Sequence, residues 1–106
     1  MQANHTGILA TSAHRLFPGL SLDQAIAQLL LEHAQRNLIK YQAMARTFEA
    51  KYRQDFQAFR RTVLASEPTF EVEQDYFDWE LAVTEISDMA QEIQRLKTLA
   101  EHNEHQ

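Results

Sequence analysis

The sequence contains no cysteine, and it has only two glycines and two prolines in 106 residues. Without cysteine the chain has no disulfide, no zinc–thiolate site and no thiol nucleophile. A fold rich in strands or loops needs more turn residues than this, so long uninterrupted helices are favoured. The absence of cysteine also fits a reducing compartment, and we predict a cytoplasmic location.

Long apolar runs and a basic excess are missing as well. The apolar runs are far shorter than the roughly 20 residues that span a bilayer, and the first residues lack the basic and apolar segments of a signal peptide. No membrane partner is therefore expected. The net charge of −5 disfavours binding to nucleic acid, because such proteins present a basic surface.

The first half of the chain predicts an arm followed by a long helix. Residues 1–20 show no sustained periodicity, and we expect an arm that is partly disordered at its start. Ser21 then has the spacing of a helix cap with Gln24. After it, apolar residues alternate at gaps of four and three, the heptad pattern of helices packed at a shallow angle: Ala27, Leu31, Ala34, Leu38, Tyr41, Ala45, Phe48 and Tyr52.

The middle of the chain leaves two alternatives open. The first helix either continues through Val63 or breaks near Arg53–Asp55, and the break is the favoured interpretation. In that case Asp55 caps a short helix over 56–65. Pro68 then ends any helix and forces a turn.

Beyond the turn, Thr69 is a candidate cap for a last helix from about residue 70 to about residue 102. The tail at 103–106 is polar and is expected to fray. The heptad seam of this helix shifts by one residue between Ile86 and Met89. Its members are Val72, Tyr76, Trp79, Val83, Ile86, Met89, Ile93, Leu96 and Ala100.

These elements predict an all-α fold. Its domain, residues 21–102, is an antiparallel hairpin of two long helices with a short helix near the turn. A chain of this size buries a small share of its surface, and its apolar stripes are wider than one hairpin needs. We therefore expect assembly into a bundle, most simply as a homodimer.

Charge is segregated along the chain. Seven bases and two acids lie between Arg36 and Arg61, whereas six acids and no base lie between Glu67 and Glu80. The hairpin would place these two stretches side by side. Acids at the start of a helix ordinarily complement its dipole or form weak exposed ion pairs, and the alternatives are a partner-binding face or a Mg²⁺ or Ca²⁺ site.

Aromatic residues concentrate near the turn, where they form either a core or an interface. Phe77 lies off the seam between acids, so we expect it to be the exposed aromatic. No metal, cofactor or catalytic residue is predicted, because no Glu-x-x-His pair or triad is present. The candidate partner-binding residues are Glu71, Asp75, Phe77, Asp78, Trp79, Arg60 and Arg61.

Two segments resemble a known family. Residues 48–59 read FEAKYRQDFQAF and residues 75–80 read DYFDWE, and together they resemble small helical antitoxin-like proteins of prokaryotic toxin–antitoxin pairs. The resemblance covers roughly residues 38–98, and it departs from the family at Arg53 and Gln54, where the family has a glycine that breaks the helix. It implies an intracellular protein that is encoded beside a small toxin and neutralises it by binding.

The predicted function is therefore that of a non-enzymatic, antitoxin-like interaction protein. One alternative is a helical bundle that assembles with itself as a scaffold, without a toxin partner. An enzyme or a metal-binding bundle is the third class, and the sequence offers no group to carry either role.

Overall fold

The computed structural model describes the backbone of residues 2–104 and the side chains of residues 7–100. The all-α prediction is confirmed, because the described residues form helices and no strand. The two long helices pack together as in a hairpin, and assembly into a bundle stays a prediction. The elements are α1 (Gln2–Leu16), α2 (Leu22–Tyr52), α3 (Phe56–Leu64) and α4 (Phe70–Glu104).

The arm contains a helix, α1, that the periodicity of the sequence did not indicate. It ends at Leu16 because Phe17 precedes Pro18, whose ring disfavours a helical conformation in its predecessor. Gly19 adopts a φ of 91°, and the Leu20 N–H donates to the Phe17 carbonyl at 3.2 Å. The partial disorder expected at the start of the arm and the fraying expected at 103–106 stay predictions, and Met1, His105 and Gln106 lie outside the described residues.

The predicted cap of α2 is confirmed. The Gln24 N–H donates to the Ser21 hydroxyl oxygen at 3.1 Å, and the Ser21 N–H donates to Gln24 Oε1 at 2.8 Å. This reciprocal pair is a capping box, which satisfies two donors that the helix itself leaves free. The start of α2 is thus determined by residues three positions apart.

The break between α2 and α3 is also confirmed. α2 ends at Tyr52, and Arg53 follows in the left-handed region with a φ of 55°. Asp55 then caps α3, since its carboxylate accepts the Ala58 N–H at 2.8 Å. Arg53 occupies the position after a helix where glycine is usual, so the chain breaks here without the glycine of the resembled family.

Replacing Arg53 with glycine is expected to raise the free energy of unfolding by about 0.5 kcal/mol. A left-handed conformation costs a residue with a Cβ roughly 1–2 kcal/mol, and the greater freedom of glycine in the unfolded chain offsets part of that gain. Urea unfolding followed by circular dichroism measures the change. Gln54→Gly is the matched control, because Gln54 has no positive φ and should only lose stability; a loss in both variants would contradict the explanation.

α4 begins where the sequence predicts. The Val72 N–H donates to the Thr69 hydroxyl at 3.2 Å, and the Glu73 N–H donates to the Thr69 carbonyl. Pro68 lies just before this cap, in the segment that connects α3 to α4.

The chain divides into two compact units. Unit 1 comprises Met1–Ala34 and Glu92–Gln106, and unit 2 comprises Gln35–Gln91. The buried residues of unit 1 are Ala25, Ala27, Leu31, Ala34, Ile93 and Leu96, so half of them are alanines. The core of unit 2 is built from larger side chains: Phe59, Val63, Tyr76 and Trp79 are buried, with Phe48, Tyr52 and Phe56 packed against them.

The two predicted seams supply most of these residues. The exceptions among the buried residues of unit 2 are Phe59 and Val63 of α3, and Ala82, which is 0% exposed and lies one position before the predicted Val83. Within unit 2, Phe48 of α2 packs on Trp79 of α4, while Lys51 contacts Asp75. Later positions of α2 thus meet earlier positions of α4, so the two helices run antiparallel.

Candidate functional site

The centre of unit 2 is an aromatic core around Trp79, which is 1% exposed. The rings of Phe48, Phe56 and Phe59 lie 5.7, 5.5 and 5.0 Å from the indole ring. Side chains from α2 and α3 therefore cover this residue of α4. Trp79, predicted as a partner-binding residue, therefore lies in the core and is not part of the exposed surface of the folded chain.

One face of the first turns of α4 leaves large apolar side chains in solvent. Phe70 is 81% exposed, Phe77 is 54% exposed and Leu81 is 49% exposed. Their spacing of seven and four residues puts them along one side of the helix, and the exposed Glu73 and Glu80 lie on the same side. We call these five residues the α4 stripe, and they fall within about 100° of arc around the helix axis.

The α4 stripe is attached to the core beneath it. The ring of the buried Tyr76 lies 5.6 Å from the Phe77 ring, and the Tyr76 hydroxyl donates to Glu80 Oε2 at 3.2 Å. Two members of the stripe are thus held by a residue that cannot move without disturbing the core. A surface held in this way loses little conformational freedom when a partner binds.

Two of the predicted acidic residues bind a base within the chain. Lys51 Nζ lies 2.6 Å from Asp75 Oδ2 and 3.2 Å from Glu71 Oε2. The Tyr52 hydroxyl donates to the same Asp75 oxygen at 2.5 Å. These contacts link the end of α2 to the start of α4. At Lys51 the basic stretch therefore lies beside the acidic stretch, as the sequence predicts.

The electrostatics of this cluster suit a structural role. Hydrogen bonds from Lys51 and Tyr52 hold the pKa of Asp75 below its usual value. Burial, followed by the bond to Asp75, raises the pKa of Tyr52, and hydrogen bonds to Asp75 and Glu71 raise the pKa of Lys51. All three groups thus keep one protonation state near pH 7, whereas a general acid or base needs a pKa close to the working pH.

The other predicted residues lie at the surface without joining one site. The Asp78 carboxylate is half-buried and accepts a hydrogen bond from Gln74 Nε2 at 3.3 Å. Arg60 and Arg61 are exposed on α3, and neither forms an ion pair with any residue that the structure describes. Phe77 is exposed as its position off the seam predicted; its binding role stays a prediction.

Phe70 is the residue that the sequence interpretation missed. It is one of the aromatics near the turn, for which the sequence leaves a core and an interface open, and it is the most exposed of the large hydrophobic residues in the described chain. The pattern that reveals it is its distance of seven residues from Phe77, which puts both on the same side of a helix. The resulting surface is apolar along its middle and acidic along one edge.

The described residues offer no metal site and no membrane span. No three His, Asp or Glu side chains among them converge closely enough to hold a metal ion. None of the described helices is both long enough and apolar enough to cross a bilayer.

Comparison with protein-family models, with curated proteins and with solved structures finds no match for this chain. Its function must therefore be argued from its own residues.

Proposed function

We propose that this chain is a non-enzymatic interaction protein that binds a basic protein partner through the α4 stripe. The exposure of Phe70, Phe77 and Leu81 in one row is the observation that carries the proposal. Large aromatic side chains at the centre of an interface contribute much of its binding free energy, and polar residues around them exclude water.

The charge around the stripe determines the kind of partner. The segment from Glu67 to Glu80 contains six acids and no base. Glu71 and Asp75 are occupied by Lys51. Of the other four acids, Glu73 and Glu80 lie exposed in the α4 stripe, where they would face a partner. Acidic groups beside an apolar row favour a partner with basic residues around an apolar groove, because opposite potentials speed encounter and disfavour other partners.

A small toxin is the partner that we propose. The resemblance of residues 48–59 and 75–80 to antitoxin-like proteins supports this choice, and it supports a cytoplasmic location in a prokaryotic cell. Neutralisation would follow from binding alone, when the stripe covers the basic surface with which the toxin acts.

Replacing Phe77 with alanine is expected to weaken the complex at least tenfold. The substitution removes an aromatic ring that is 54% exposed, so the core stays intact while an interface anchor worth at least about 1.4 kcal/mol is lost. The measurement is isothermal titration against the product of the adjacent gene, after co-expression and co-purification of the two chains. Relief of toxicity in cells is the functional readout.

Leu64→Ala is the matched control, because Leu64 is an apolar side chain of the same unit that is 69% exposed but lies on α3. It should leave the affinity unchanged. The proposal fails if the two proteins form no stable complex and toxicity is not relieved, or if both variants weaken binding equally. The alternative of a scaffold without a toxin partner predicts the absence of a complex.

A further inference from the structure

Unit 1 exposes more large hydrophobic side chains than its size would suggest. Twelve such residues are exposed in the described chain, and seven of them belong to this unit. In addition, no described side chain of α1, from residue 7 to residue 16, is buried. The seven residues are 45–72% exposed: Ile8, Leu9, Leu16, Ile26, Leu29, Leu30 and Leu99.

Six of these residues line two neighbouring grooves. The first groove, of about 410 Å³, lies between α1 and α2 and includes Leu9, Leu16, Ile26 and Leu29 in its lining. The second, of about 290 Å³, lies between α2 and α4 and is lined by Ile26, Leu30 and Leu99 among others. Because Ile26 borders both, the grooves form one apolar surface across three helices. We call this surface the apolar face of unit 1.

The charges around the apolar face favour a copy of itself as the occupant. The first groove has no charged residue in its lining, and the second has only Asp23. With one charged residue in the lining of both grooves together, two copies of this surface meet with little electrostatic repulsion. Unit 1 as a whole carries three bases and five acids, a net charge of −2: Arg15, Arg95, Lys97, Asp23, Glu32, Glu92, Glu101 and Glu104.

Unit 2 carries the larger share of the net negative charge. Its residues 35–91 include seven bases and ten acids, a net charge of −3. A contact between two copies through this unit would therefore bring like charges together, which is unfavourable. The apolar face of unit 1, by contrast, has Asp23 as the one charged residue in the lining of its grooves.

The extent of the apolar face also fits a dimer. Six Leu and Ile side chains that are each about half exposed offer on the order of 300–400 Å² of apolar surface. A standard interface buries roughly 450 Å² of apolar surface on each partner. The exposed side chains of this face thus supply most of the apolar area that a standard interface buries on each partner.

We infer that the apolar face of unit 1 pairs with the same face of a second copy in a two-fold symmetric dimer. The α1–α2 pair of one copy packs on that of the other, so Ile26 and Leu29 lie at the centre of the contact. In such a dimer each surface is its own complement. The inference is independent of the toxin-binding proposal, because the α4 stripe belongs to unit 2.

Replacing Leu29 with glutamate is expected to weaken the dimer at least tenfold. Leu29 is 52% exposed, so the carboxylate points into water in the monomer but becomes buried without a partner in the dimer. Sedimentation equilibrium of the full chain measures the dissociation constant of the dimer. The chain concentrations run from about 1 to about 100 µM, a range that brackets micromolar dissociation constants. The matched control is Leu64→Glu, since Leu64 is exposed in unit 2 and should not affect the dissociation constant.

Crosslinking locates the contact. The chain has no cysteine, so Ser12→Cys places a single thiol in the lining of the first groove. A short bismaleimide should join two copies of this variant, whereas Ser87→Cys, exposed in unit 2, should stay uncrosslinked. Circular dichroism verifies that each variant folds.

Several results would overturn the dimer. One is a wild-type chain that stays monomeric at about 100 µM, the upper end of the concentration range. The others are equal effects of Leu29→Glu and Leu64→Glu on the dissociation constant, and equal crosslinking of the Ser12→Cys and Ser87→Cys variants. A monomer that binds an apolar dye in its grooves, or one whose apolar face is covered only in the complex with another protein, would also contradict it. A Leu29→Glu variant that is monomeric and still binds the toxin would show that dimerisation and toxin binding use different surfaces.

Discussion

Replacing Trp79 with alanine is expected to lower the free energy of unfolding by about 4 kcal/mol. The indole is 1% exposed, and rings from α2 and α3 lie within 6.4 Å of it. Its removal leaves a cavity that three helices border, and the loss includes both the buried apolar surface and the contacts of the cavity walls.

Phe70→Ala is the control for this loss. It also removes an aromatic ring from the first turns of α4, but that ring is 81% exposed, so the free energy of unfolding should change by less than about 0.5 kcal/mol. Urea unfolding followed by circular dichroism at the helix band measures both variants, since Trp79 is the only tryptophan and its fluorescence is lost with it. Equal losses would mean that Trp79 is not the centre of the core.

The second large effect is expected at the carboxylate that joins α2 to α4. Asp75→Ala should lower the free energy of unfolding by about 2 kcal/mol, because hydrogen bonds to charged groups contribute roughly 1.5–3 kcal/mol. Asp75 accepts such bonds from both Lys51 and Tyr52, and its side chain is only 15% exposed. Asp78→Ala is the control, as Asp78 has one hydrogen bond, from Gln74, and should lose less than about 0.5 kcal/mol.

The contribution of Asp75 depends on pH in a defined direction. Its pKa is lower in the folded chain than the usual 3.8, so the stabilisation is complete above the unfolded value and is lost as the pH falls through the folded one. The pKa values of Tyr52 and Lys51 are raised above 10.0 and 10.5. The stabilisation that Tyr52 and Lys51 contribute is complete below these unfolded pKa values and is lost as the pH rises through their higher pKa values in the folded chain.

The difference in unfolding free energy between wild type and Asp75→Ala should therefore be constant from about pH 5 to about pH 9 and shrink on either side. Urea titrations at a series of pH values test this. A difference that stays unchanged down to pH 2, well below the usual pKa of a carboxyl group of about 3.9, would show that the charge of Asp75 is not what stabilises the contact.

The boundaries of three helices follow from nearby residues in the sequence. The caps at Ser21, Asp55 and Thr69 each act over three residues, and such local contacts are visible in the order of the residues. α1 escaped prediction because it has no buried face among its described side chains, and periodicity detects only helices that bury one. Arg53 left the break open because a left-handed arginine has no distinctive pattern, unlike glycine.

The candidate site was only partly predictable for a similar reason. The segregation of acids and bases indicated that Lys51 and the acids of α4 lie close together, but the choice of Asp75 as its partner joins residues 24 positions apart. Trp79 and Phe70 are both aromatic residues at the start of α4, and one is enclosed while the other is in solvent. Residue type alone does not distinguish them, since exposure depends on what packs against each face.

The sequence by itself determined the helical class, the capped starts of α2, α3 and α4, the apolar seams and the separation of charge. These features depend on helix geometry and on contacts within a few residues. Only the tertiary structure decided that Trp79 lies in the core and that Asp75 fastens two helices. It also decided that Phe70, Phe77 and Leu81 form an exposed row, and that unit 1 has an uncovered apolar face. Packing decides these features because a side chain is buried only when another element covers it.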